Sequence, residues 1–161
     1  MHQENSIVIR ADREKIFDTV SNLDNWPKLL PHYRWIRTLP ASGGARIVNM
    51  AARRGWIPIR WTSRFEVDRP AWEIRFTHLK AFTKGMVVVW TFTPTAAGVL
   101  VRIRHDLVLG WPLIGKFVAE KIIGGFFIHH VASRTLAAFK KHLEQTVAQK
   151  THMVAGRSRS P

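Results

Sequence analysis

Between residues 57 and 105 the sequence alternates as only a half-buried antiparallel sheet requires. Ile57, Ile59, Trp61, Ser63, Phe65 and Val67 alternate with Arg60, Thr62, Arg64, Glu66 and Asp68. Trp72, Ile74, Phe76 and His78 alternate with Glu73, Arg75 and Thr77. Met86, Val88, Trp90 and Phe92 share one face, and Val99, Val101, Ile103 and His105 alternate with Arg102 and Arg104. A period of two sends one set to each face of a strand. Gly55, Asp68-Arg69-Pro70, Lys84-Gly85 and Ala97-Gly98 punctuate the runs as turns. Connections this short join antiparallel neighbours, so the segment is a meander. Two further strands, Tyr33–Leu39 and Ala45–Arg53, precede it, parted by Ser42-Gly43-Gly44.

The flanks change period. Ile7 to Ile9 is β-branched and reads as a first strand. Asp12 is placed as an N-cap, and Ile16, Phe17, Val20 and Leu23 follow at helical spacing, which predicts a helix over Arg13 to Asn22. Asn25-Trp26-Pro27 starts a second short helix, with Trp26, Leu29 and Leu30 facing inward. After the strands, Pro112 opens a long helical segment to about Thr146. Its apolar stripe is Ile114, Val118, Ile122, Val131, Leu136, Phe139 and Leu143, interrupted by Gly124-Gly125. Residues 1–147 thus form one domain, and 148–161 read as a basic, unstructured tail.

The fold class expected is α+β: a curved antiparallel sheet of about seven strands around a long C-terminal helix, with two short helices after the first strand. The sheet's apolar face can be buried only against that last helix. Its other face carries Arg60, Arg64, Arg75, Arg102 and Arg104. A sheet gripping one helix leaves space between them, and that space is a natural ligand cavity.

The chain has 161 residues, 46% of them apolar, which is enough for one real core. The absence of cysteine excludes disulfides, a thiol nucleophile and thiolate metal sites. No HExxH or Cys/His spacing points to a metal, and no cofactor motif is present. No signal peptide or membrane-spanning run is visible, and the expected location is the cytoplasm. The net charge of +14 favours an acidic partner: nucleic acid, an anionic membrane or an acidic protein. Nucleic acid is disfavoured, because the tryptophans fall on the strand face opposite the arginines. Trp111 to Val118 mixes aromatics, aliphatics and lysines as interfacial helices do, but its apolar residues equally suit packing on the sheet.

The order of elements resembles the START-like, or Bet v 1-like, helix-grip superfamily, and within it the polyketide cyclase/dehydrase family of aromatase/cyclases. The motifs are Asn5-Ser6-Ile7-Val8-Ile9, the segment from Phe17 to Pro27, Tyr33, Trp61-Thr62-Ser63-Arg64 and Trp90-Thr91-Phe92. The resemblance implies a pocket that folds a polyketide chain, delivered by an acidic acyl carrier protein, toward ring closure. It places Trp26, Tyr33, Trp61 and Ser63 on the pocket wall. Aromatase/cyclases carry an arginine two residues after that serine. Here the position is Phe65, and Arg64 points to the other face.

Two readings follow. In the first, Tyr33 and His105 polarise a carbonyl or move a proton, while Trp26, Trp61, Ser63, Phe65, His78 and Trp90 hold the substrate. In the second, the same cavity carries a lipid or quinone without chemistry. A satisfied core histidine is the commoner fate of residues such as His78 and His105. Plain core packing is the commoner fate of each tryptophan taken singly.

Overall fold

A computed structural model describes residues 2–40, 45–80, 83–107 and 129–157. Seven strands, β1 (His2–Ile9), β2 (Tyr33–Pro40), β3 (Arg46–Arg54), β4 (Ile57–Asp68), β5 (Glu73–His78), β6 (Val87–Thr95) and β7 (Gly98–Asp106), form one antiparallel sheet in the order β1-β7-β6-β5-β4-β3-β2. Strands β2 to β7 are the expected meander. The helices α1 (Arg13–Ser21) and α2 (Trp26–Leu29) carry the chain from one sheet edge, β1, to the other, β2. The C-terminal helix α3 spans His129–Arg157.

Local chemistry sets these boundaries. The Asp12 side chain accepts from the Lys15 backbone N–H at 3.1 Å and caps α1. Gly98 opens β7 with φ +137, and a Cβ there would lie 2.7 Å from the Ile9 carbonyl oxygen, so the close approach of the end of β1 requires glycine. The alternation is realised as written: in β5, Ile74, Phe76 and His78 are buried while Arg75 is exposed.

One expectation changes, and another is not reached. Helix α3 continues past Thr146 to Arg157, so the segment read as a tail is helical that far. No glycine or proline stands between Val147 and Ala155 to stop it. The opening of the long helix from Pro112, its Gly124-Gly125 interruption and the Trp111–Val118 segment lie outside the described residues.

The core is aromatic and centred on Trp26, which is 1% exposed. Its indole N–H donates to the Val20 carbonyl at 2.9 Å. Its ring meets Tyr33, Phe139, Trp90 and Phe76 at centroid distances of 5.1, 5.6, 5.8 and 6.0 Å. These tilted and edge-on contacts lock the short helix α2 between sheet and α3.

On the outer face, carboxylates interleave the arginines. Arg64, Arg75, Arg102 and Arg104 reach Glu66, Glu73, Glu4 and Asp106 at 3.1, 2.5, 3.0 and 2.9 Å. Exposed pairs of this kind contribute little stability, but they do cancel charge locally. Arg60, on the same face, is not among these pairs.

Candidate active site

A cavity of about 90 Å³ lies between one end of the sheet and the stretch of α3 that carries Val131, Ala132 and Thr135. Trp26, Tyr33, Trp61, His78, Trp90 and His105 all line it. Six of the eight residues singled out in the sequence are thus brought together. Met50, Ile59, Phe76, Met86, Val88 and Ile103 supply most of the remaining apolar wall.

Ser63 and Phe65 share the strand face of Trp61 but are not on the cavity wall. Ser63 is fully buried, pairs across the ladder with His78, and its hydroxyl has no hydrogen-bond partner among the described residues. Phe65 packs on Phe76 at 4.8 Å, and the Arg46 guanidinium from β3 sits 4.8 Å above its ring. A cation therefore approaches Phe65 from the neighbouring strand. Arg64 faces outward, paired with Glu66.

The placement of Tyr33 comes from a shift in register. Tyr33 opposes Ala52 while Trp35 opposes Ala51, so β2 carries a bulge at its start. A bulge re-aims the side chain beside it. Burial raises the pKa of the Tyr33 phenol well above its usual value, with the hydrogen-bonding contact to Thr135 acting the other way. The phenol therefore keeps its proton throughout the physiological range and can donate a hydrogen bond.

The histidines are held neutral. Burial lowers His78 to about 4. Burial, and then the neighbouring His78, lower His105 to about 3 against the opposing pull of Asp106. His78 Nδ1 lies 2.7 Å from the Thr83 hydroxyl, whereas His105 Nδ1 is buried without a partner among the described residues.

Three polar residues of this region were not singled out in the sequence. His32 Nε2 donates to the Thr135 hydroxyl at 2.8 Å, and that hydroxyl donates to the Val131 carbonyl at 2.8 Å. Burial, then Arg134 and His130, lower His32 to about 4. Thr135 and Thr83 line the cavity. Thr135 stands four residues after Val131 and four before Phe139, inside the apolar stripe of α3, and that was its one visible signal. The pair His129-His130 is exposed, and the Asn5 amide donates to His129 Nδ1 at 2.8 Å.

The wall thus combines an apolar shell with neutral hydrogen-bonding groups: a phenol, two imidazoles and two hydroxyls. Comparison with known proteins adds the family. The profile described as polyketide cyclase/dehydrase and lipid transport matches residues 2–144. The chain belongs to this family. A member of Streptomyces halstedii named "Putative polyketide cyclase" is 27% identical over 107 residues, covering 63% of this chain and 95% of that protein. The fold of the Zhui aromatase/cyclase from Streptomyces sp. R1128 superposes with a TM-score of 0.79 at 16% identity, covering 91% of this chain and 95% of that one. A START superfamily protein from Mycobacterium smegmatis superposes at 0.69 with 13% identity, over 90% and 98% of the two chains. In this polyketide cyclase/dehydrase family member, the helix-grip architecture expected from the sequence is the observed one.

Proposed function

We propose that the chain binds a neutral, apolar, carbonyl-bearing molecule of the polyketide class in this cavity and promotes its cyclisation or dehydration. The observation that carries the reading is the convergence of the Tyr33 phenol and the neutral imidazoles of His78 and His105 on one otherwise apolar cavity wall. A ligand carbonyl placed there meets hydrogen-bonding groups without desolvating a charge. No charged side chain lines the cavity among the described residues, so a ketone or hydroxyl suits it better than a carboxylate.

The chemistry follows from the groups present. The Tyr33 phenol donates a hydrogen bond to one ketone oxygen. The His105 imidazole accepts a proton from the methylene between two ketones. The resulting enolate carbon attacks a second carbonyl, and the imidazolium returns its proton to the new alkoxide. The imidazole then takes the remaining proton of the same methylene carbon and gives it to the departing hydroxyl, so that one water leaves. Orientation by the tryptophan walls supplies the rest. Docking of an acidic acyl carrier protein that delivers such a chain belongs to this reading.

The cavity is smaller than the ~150 Å³ void known to admit one benzene. A polycyclic product therefore requires its wall to move. The wall this reading requires to shift is helix α3, whose links to β1 and its flanks, Asn5–Ser133, Lys140–Val8 and Arg10–Glu144, involve side chains rather than a backbone ladder.

A second reading, a carrier of lipid or quinone, draws on the aliphatic and thioether wall of Met50, Ile59, Met86, Val88 and Ile103. Native mass spectrometry of the purified protein separates the two, since a co-purified quinone or phospholipid counts against the cyclase. For the enzyme, Tyr33→Phe and His105→Gln should each slow cyclisation of a poly-β-ketone at least tenfold while the protein stays folded. Unchanged rates in both variants would remove these residues from the mechanism.

A further inference from the structure

One end of the molecule carries a surface that the cavity chemistry does not use. Strands β3 and β4 are joined by the two-residue turn Gly55-Trp56. Gly55 has φ +58, as the first central position of a II′ hairpin turn demands. So tight a turn cannot fold back, and it projects Trp56 into solvent at 90% exposure. The other described tryptophans, Trp26, Trp35, Trp61, Trp72 and Trp90, are all buried or half-buried. Ile57 beside the tip is 42% exposed.

Cations surround this tip. Arg53 and Arg60 flank it on the outer sheet face, in diagonal register across β3 and β4. Lys80 and Lys84 lie in the neighbouring β5–β6 connection, together with the exposed Leu79. All four cations are exposed, and among the described residues none has a carboxylate within 4.0 Å. The carboxylates gather at the opposite end. Glu14 and Asp18 bind Arg69 in the β4–β5 turn, Glu66 and Asp68 end β4, and Glu144 holds the Arg10 backbone beyond β1. Toward the basic end, Asp106 is taken by His2 at 2.6 Å and Arg104 at 2.9 Å, and Glu4 by Arg102 at 3.0 Å. Most of the described carboxylates thus lie away from the Trp56 tip.

The basic end is also the cavity end. Ile59, three residues from Trp56, and Thr83, beside Lys84, both line the cavity. We propose that this end docks on an anionic lipid bilayer, with Trp56 set at headgroup level and Arg53, Arg60, Lys80 and Lys84 over the lipid phosphates. An indole on a convex tip suits the interface, which admits a ring at variable depth. A folded protein would have to offer a matching pocket. Cations spread over two separate hairpins match a continuous negative plane better than one small acidic face. Docked so, the cavity faces the membrane, and an apolar ligand passes between them without crossing water. This holds for either reading of what the cavity contains.

The test is co-sedimentation of the full chain with vesicles of phosphatidylcholine alone and of phosphatidylcholine containing about one-third phosphatidylserine. The phosphatidylserine vesicles should bind at least tenfold more tightly. Raising the salt from about 0.1 M to about 1 M, which shortens the Debye length from about 10 Å to about 3 Å, should release the protein. Trp56→Ala should weaken binding at least fivefold. Arg53→Glu and Arg60→Glu should each do the same, since one cation near such a surface contributes about 1 kcal/mol, or about fivefold. Arg75→Ala, at a cation already paired with Glu73 at 2.5 Å, should stay within twofold of the parent. Should Trp56→Ala misfold, the two arginine variants decide alone. Equal binding to both vesicles, no binding to either, or charge and Trp56 variants that bind like the parent would overturn the proposal. So would capture of a purified acidic acyl carrier protein through these residues without vesicle binding, which would make the patch a protein interface.

Discussion

The imidazole of His78 lies parallel to the indole of Trp61, with centroids 6.1 Å apart and planes 5° apart. Its Nδ1 is tied to the Thr83 hydroxyl at 2.7 Å. Stacking fixes the plane of the ring, and the hydrogen bond fixes its rotation within that plane. Thr83→Val keeps the shape and removes the hydroxyl, so it strands a buried nitrogen. The expected cost is about 1–3 kcal/mol, read as a lower urea midpoint with an unchanged m-value. An unchanged midpoint would mean that Thr83 does not hold the ring.

The buried histidines set the response to acid. His32 and His78 are lowered to about 4 and His105 to about 3, all by burial first, from an ordinary value of 6.5. Between these values and 6.5 the unfolded chain binds more protons than the native one. Their contribution is therefore complete above pH 6.5 and is lost as the pH falls through 6.5 toward 4. Each imidazole contributes a slope of up to about 1.4 kcal/mol per pH unit in that window. Urea midpoints measured from pH 8 to pH 4.5 should be flat above 7 and fall below 6.5. His105→Gln should reduce the slope. A midpoint that rises on acidification would contradict the neutral burial of these rings.

Trp26 joins α2 to the sheet and to α3, so its removal should be felt everywhere. Trp26→Ala opens the centre of the core and should cost about 3–5 kcal/mol. Trp26→Phe keeps most of the ring volume but strands the Val20 carbonyl, which accepts the indole N–H at 2.9 Å. Its cost should be smaller, about 1–3 kcal/mol. Thermal melts followed by near-ultraviolet circular dichroism read both. Equal losses in the two variants would mean that the hydrogen bond, and not the packing, is what matters.

The alternation of β5 and β7 was legible residue by residue, because burial of one face writes period two directly into sequence; in β4 it holds from Ile59 to Phe65, while Ile57 and Val67, expected on the same face, are exposed at the strand ends. The site was legible only in part, for a geometric reason. Period two tells which face a side chain occupies, but not how far along the strand the cavity extends. Trp61, Ser63 and Phe65 share one face, yet only Trp61 reaches the cavity, because the cavity sits at the end of the sheet where β4 begins. Phe65 lies further along, beneath Phe76. His32 stands in the turn before β2, where no periodicity exists to mark it as buried. Thr135 was hidden differently: a hydroxyl in an apolar stripe reads as an imperfection until its bonds to His32 and Val131 are seen.

Ser63 offers the last discrimination. Its hydroxyl is buried beside His78 with no partner among the described residues, so it is desolvated without return. Ser63→Ala should leave stability unchanged or raise it by up to about 1–3 kcal/mol, measured by urea unfolding of the protein stripped of small molecules. The contrast lies in the loaded protein. If the cavity expands along β4 when a carbonyl-bearing ligand enters, Ser63 comes within reach of that carbonyl, and Ser63→Ala should then weaken ligand binding about fivefold, the loss of one hydrogen bond. A variant stabilised when empty and weakened when loaded would place the hydroxyl in recognition. One destabilised when empty by more than about 1 kcal/mol would show instead that Ser63 already has a structural partner.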